Sequence, residues 1–262
     1  MKSAKSLIVS MLVAAIGFSS IVLGQEQDEN DPARAAALVR GAVAARGGDS
    51  YLKIRSVVSR GQYTPYEKGV SGDPVAFVDY IVYPGRERTE FDKGDNKFIQ
   101  TNSEISNWVY DAKQRMIRDQ KEEQVNQFRQ SARYDLDNLL RVAAQQSGVK
   151  LVYLGRREAW RSTFSEAVRV DFTDGGSATL HFDPRSKLPL MTEYKSVGEG
   201  GTANNEVRYY RWIDFSGINC PTFQDFYRDG KQTARVSFDT VTFNETLPEK
   251  LWIKPLSIKE VK

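Results

Sequence analysis

The chain has 262 residues, with 37 lysines and arginines against 34 aspartates and glutamates, a formal net charge of +3. That near balance lacks the strongly basic surface that nucleic-acid binding needs. One cysteine, Cys220, and one histidine, His181, exclude an intrachain disulfide and leave too few ligands for a zinc centre.

Lys2 and Lys5 precede an uncharged run from Ser6 to Leu23, and a polar stretch begins at Gln25. This is the layout of a secretory signal with a cut between Gly24 and Gln25. The expectation is therefore a signal peptide at 1–24 and a soluble periplasmic domain at 25–262. Removing the signal leaves 35 basic and 34 acidic residues, so no nucleic-acid partner is expected.

Asp31 followed by Pro32 is a helix start, because the carboxylate caps free N–H groups and proline lacks the N–H that would go unpaired. The helix should run to about Arg46, with Ala35, Leu38, Val39, Ala42 and Val43 on one stripe and Gly47 and Gly48 stopping it. From Ser56 the apolar period falls from 3.6 to 2. Strands are predicted near 56–64, 75–83, 86–92, 96–101, 105–110 and 114–119, with turns rich in Gly, Pro, Asp and Lys between them.

A segment without glycine or proline then runs from Lys121 to Gln146, with Val125, Phe128, Leu136, Leu139, Leu140 and Ala143 on an apolar face. The stripe weakens between Gln130 and Asp135, so the reading is one kinked helix or two shorter ones. A second run of strands follows near 149–157, 165–172, 177–183, 188–195, 205–215, 218–228 and 231–243. Asp229-Gly230 is a strong hairpin signal. The glycine- and asparagine-rich stretch 198–205 reads as a flexible loop.

Val168, Val170 and Phe172 alternate with Arg169 and Asp171. Leu180 and Phe182 alternate with Thr179 and His181, and Val236 and Phe238 with Arg235 and Ser237. One face of the sheet is dry. Two helices cannot cover the dry face of a dozen flat strands, so the sheet should curl around them. The fold class expected is α+β, mostly β: a strongly curved antiparallel half-barrel of about 11 to 13 strands enclosing an N-terminal helix and a central helical segment. Its concave face is either a ligand hollow or a solid core, and the sequence leaves both open.

The C-terminal segment sharpens this reading. Arg228-Asp229-Gly230-Lys231 is followed by Arg235-Val236-Ser237-Phe238-Asp239-Thr240-Val241-Thr242-Phe243-Asn244, then by Leu247-Pro248 and Leu251-Trp252-Ile253-Lys254-Pro255. This resembles the closing segment of periplasmic lipoprotein carriers of the LolA/LolB type, and the order signal, helix, strands, central helices, strands is similar as well. The chain departs from the carriers where Leu256 follows Pro255, and no residue matches their cavity arginine. The resemblance implies a half-barrel with helices at its mouth and a cavity for lipid or lipoprotein acyl chains. It also implies a chaperone-like, monomeric carrier working with an envelope membrane protein.

The residues expected to line that cavity are Phe91, Trp108, Tyr110, Val168, Val170, Phe172, Leu180, Phe182, Val236 and Phe238. Core packing uses the same residue types. His181 falls on the wet face of its strand, where an exposed structural role is expected, and Cys220 reads as a small buried apolar residue. Glu122 with Glu123, and Asp135 with Asp137, read as solvated helix faces. With no nucleophile constellation and no phosphate loop, neither enzymatic activity nor a cofactor is expected. The alternative function is an envelope-stress sensor or protein-interaction module in the same fold.

Overall fold

The computed structural model describes residues 30–92, 94–198 and 201–261. The signal segment and its cleavage point lie outside them. Helix α1, Pro32–Arg46, begins as its sequence dictates, with the Asp31 carboxylate accepting from the N–H groups of Ala33 and Arg34. A single turn, α2, covers Asp49–Leu52.

Seven strands follow: β1 Ser56–Glu67, β2 Val70–Ser71, β3 Val75–Val82, β4 Arg86–Phe91, β5 Phe98–Asn102, β6 Trp108–Asp111 and β7 Met116–Asp119. The central helical segment divides into α3, Glu122–Tyr134, and α4, Leu136–Gln145. The break is at Asp135, whose extended backbone and side chain cap the N-terminus of α4. Seven more strands complete the chain: β8 Val149–Trp160, β9 Thr163–Phe172, β10 Ser177–Phe182, β11 Pro189–Gly198, β12 Gly201–Phe215, β13 Ile218–Arg228 and β14 Lys231–Phe243. The stretch read as a loop after Gly198 belongs to the β11–β12 hairpin, where Val197 pairs with Thr202 and Gly198 with Gly201.

The described strands number 14, one more than the upper expectation, and form one antiparallel sheet in the order β7-β6-β5-β4-β3-β1-β14-β13-β12-β11-β10-β9-β8, with the short β2 paired to β1. Two meanders are thus joined at a β1–β14 seam, and β7 and β8 are left as free edges. The chain between those edges is α3 and α4, so the helical segment bridges an open side that the sheet does not close. The seam needs close backbone approach at Gly61, beside the register shift in β1: a Cβ there would lie 1.8 Å from the Ser237 carbonyl oxygen. Glycine alone fits such a bulge.

Helices α1 and α4 cover only part of the concave face. Leu38, Val39, Ala42, Leu139 and Leu140 share a continuous core with Leu151, Tyr153, Val168, Val170, Leu180 and Phe182 of β8, β9 and β10. No helix among the described residues is long and apolar enough to cross a membrane.

Candidate functional site: an aromatic hollow with an acidic wall

Away from that core the concave face stays open, leaving a hollow of about 390 Å3. Pleat alternation decides which side chains reach it. From β3 come Phe77, Asp79 and Ile81, from β4 Glu87, Thr89 and Phe91, from β1 Val57, Ser59 and Tyr63, and from β14 Val236, Phe238, Val241 and Phe243. Tyr209, Phe226 and Tyr194 extend the aromatic wall across β12, β13 and β11, while Phe128 and Tyr134 of α3 face it from the mouth. Phe77 meets Phe238 edge to face at 5.9 Å, and Tyr134 stacks on Tyr194 at 4.7 Å. A second recess of about 450 Å3 adjoins it, lined by Phe128, Arg133 and Phe172 among others.

One end of the hollow is polar and locked. Arg46, at the last turn of α1, is buried and paired with Asp137 of α4. The Tyr51 and Tyr83 hydroxyls donate to the same carboxylate at 2.7 and 2.8 Å. Arg46 also donates from Nε to the Asn219 carbonyl at 3.2 Å and lies 4.3 Å above the Tyr51 ring. Burial pushes the Asp137 carboxyl up, but Arg46 and the two phenols outweigh it and hold it below the ordinary carboxylate range. Arg141 is spent on the Tyr51 and Leu52 carbonyls.

The wall opposite is different. Asp79 accepts from the Thr89 hydroxyl at 2.9 Å, and Glu87 shares that threonine. Neither has an ion-pair partner among the described residues. Asp135 is exposed at the α3–α4 break and borders the hollow, its carboxylate accepting from the N–H groups of Asp137 and Asn138. Burial pushes Asp79 up to about 7, with Asp135 adding to it. Burial likewise carries Glu87 well above the usual range, helped by Asp79 and Asp135.

Of the residues the sequence proposed for a cavity, Phe91, Val236 and Phe238 stand on this wall. Val168, Val170, Leu180 and Phe182 have no exposed surface and lie in the core under α1 and α4. Phe172 borders the second recess and packs on Tyr134. Trp108 points to the convex side: Glu87 faces inward, so its neighbour Arg88 faces outward, and the Arg88 guanidinium lies over the Trp108 ring. Tyr110, two residues along β6, shares that convex side. Arg88 also donates to the Leu251 carbonyl, which lays the C-terminal segment over this patch and buries Trp108.

Two readings of polar residues are corrected. His181 faces the convex side but is buried, bonded through Nδ1 to the Ser165 hydroxyl and through Nε2 to Glu193, both at 2.8 Å. Ser165 is itself fully buried and donates to the Arg157 carbonyl, so His181 joins a buried serine to a glutamate that reaches the surface. Asp137 is not part of a solvated helix face, because the break between α3 and α4 turns it onto Arg46, Tyr51 and Tyr83, whereas Asp135 is exposed as expected. Cys220 is buried as expected, against the Arg46 guanidinium.

Sequence reasoning missed Asp79, Glu87 and the Arg46–Asp137 lock. A signal was present: a carboxylate stands between Phe77 and Ile81 on a face that is otherwise apolar.

No family model matches the sequence, and no curated protein matches it. Solved structures do match in shape. A domain of an outer membrane lipoprotein-sorting protein from Vibrio parahaemolyticus is 9% identical, with 85% of this chain and 97% of that one covered at a TM-score of 0.52. A LolA superfamily protein from Nitrosomonas europaea is 12% identical, covering 84% and 97% at 0.52. The fold is LolA-like. A DUF1329 family protein from Desulfovibrio piger shares it as well, 12% identical, covering 86% and 98% at a TM-score of 0.58. At these identities the likeness speaks for the LolA-like fold alone, and the chemistry of the hollow has to be read from this chain's own residues.

Proposed function

We propose that the protein is a periplasmic carrier that takes an acyl chain or a comparable amphiphile into the half-barrel hollow. The observation that carries this reading is the aromatic hollow of about 390 Å3, left open where α1 and α4 stop covering the sheet. A filled core would present no such space. Its volume falls within the roughly 300–1,000 Å3 of small-molecule sites, and its lining has their composition, mostly apolar with a few placed polar groups. The LolA-like fold, shared with a lipoprotein-sorting domain, supports the same class of cargo.

The signal-like N-terminus supports export, with cleavage after Gly24. The mature chain then works as a soluble monomer that meets an envelope membrane protein when cargo is passed on. Native mass spectrometry of protein purified from the envelope without detergent tests the reading. A bound amphiphile, lost on mild delipidation and regained on adding lipid extract, is the expected result. Protein that is empty and stays empty in the presence of extract would remove it.

A further inference from the structure

The hollow carries charge of one sign on one wall. Asp79 and Glu87 face inward from adjacent strands, Glu87 lying across the β3–β4 ladder from Ile81, two residues along from Asp79. Asp135 reaches the same space from the α3–α4 break. The cations that line the hollow are committed elsewhere. Arg46 is locked to Asp137, Arg141 holds two backbone carbonyls, and Arg86 is drawn outward to Glu104 and Glu249. Tyr51 and Tyr83 are also turned to Asp137. Asp79 and Glu87 therefore share the Thr89 hydroxyl on one wall, and Asp135, whose carboxylate caps α4, borders the same space from its exposed side. Around them stand Phe77, Phe91, Tyr63 and Phe238, rings whose faces attract cations.

From this juxtaposition of an aromatic hollow with a pair of wall carboxyls that no described cation neutralises, we propose that the hollow selects amphiphiles with a cationic, amine-bearing head, seated against Asp79 and Glu87 with the chain among the aromatic rings. The inference rests on the carrier reading and adds the charge class of the ligand. An ammonium donates up to three hydrogen bonds and accepts none, which matches a wall made of acceptors. An anionic head would meet like charge in a poorly hydrated space. Because burial pushes Asp79 up to about 7, with Glu87 also raised, an ammonium is held best above neutrality and released as the wall protonates. Asp137, held low by Arg46, keeps its charge throughout.

The test is displacement of the neutral fluorophore N-phenylnaphthylamine from the full mature protein by dodecylamine, dodecanol and dodecanoate, each below its micellar concentration. At about pH 8, dodecylamine should displace the reporter at least about tenfold more effectively than dodecanoate. The gap should narrow at about pH 5 in the wild type, a comparison that needs no variant. Glu87→Gln, and Asp79→Asn combined with it, should reduce the gap between dodecylamine and dodecanoate. Equal or better displacement by dodecanoate at about pH 8 would overturn the inference while leaving the carrier reading intact, as would a gap that survives at about pH 5 or in the variants. A reporter that does not bind at all would remove the carrier reading and this inference together.

Discussion

At the scale of single residues, the hollow sets two kinds of carboxyl side by side, with opposite consequences for stability. Asp79 and Glu87 are raised in the fold, so their neutral forms are favoured there. Stability attached to them is full below the unfolded carboxylate range and is lost as pH rises, for Asp79 through about 7. Asp137 is lowered, so its contribution is present above the unfolded value and lost as pH falls through the folded one. Thermal melting of the ligand-free protein should therefore show Tm declining from mildly acidic to mildly alkaline pH. Glu87→Gln with Asp79→Asn should flatten that decline, and an unaltered slope in the double variant would contradict the assignment. Removing one side of the lock differs in kind: Asp137→Ala strands the buried Arg46 charge and should cost about 3–5 kcal/mol in urea unfolding. His181→Ala should cost roughly 1–3 kcal/mol, because it leaves the buried Ser165 hydroxyl short of a partner.

At the scale of elements, the same alternation of apolar and polar residues has two outcomes, decided by what lies above it. On β9 and β10 it faces α1 and α4 and becomes core. Leu180→Ala should lower stability by roughly 2–5 kcal/mol without altering ligand affinity in the folded fraction. On β3, β4 and β14 it faces α3 only across the hollow and becomes wall. The positions of α1, the strands and the β13–β14 hairpin were legible because caps, periodicity and Asp-Gly turns are local signals. The division between core and wall was not legible, since it depends on which strands two short helices happen to cover. Likewise Trp108 reads as a concave aromatic from its strand alone. Only the C-terminal segment packed outside β4 explains its burial. The Asp135 break was foreshadowed by the weakened stripe, but its effect, turning the Asp137 carboxyl inward, needs the geometry of both helices. Gly61→Ala is the corresponding test of the seam. Its Cβ has nowhere to go against the Ser237 carbonyl, so destabilisation of roughly 1–3 kcal/mol or more is expected on chemical unfolding.

At the scale of the whole molecule, the curved sheet and the helical segment bridging its free edges combine a firm half with an open one. The firm half, β8 to β10 with α1 and α4, holds Arg46 and Asp137 and so fixes one end of the hollow. The open half supplies aromatic surface that the chain leaves uncovered around the hollow. A change that fills the open half without touching the firm half should therefore separate binding from folding. Phe238→Trp adds bulk to the centre of the wall, opposite Phe77. The most direct measurement is titration of the purified protein with N-phenylnaphthylamine, wild type beside Phe238→Trp, with Tm recorded for both. The account predicts saturable binding to the wild type and at least about tenfold weaker binding to the variant, at a Tm within a few degrees of the wild type. Binding of equal strength in the two proteins, or none in the wild type, would contradict it.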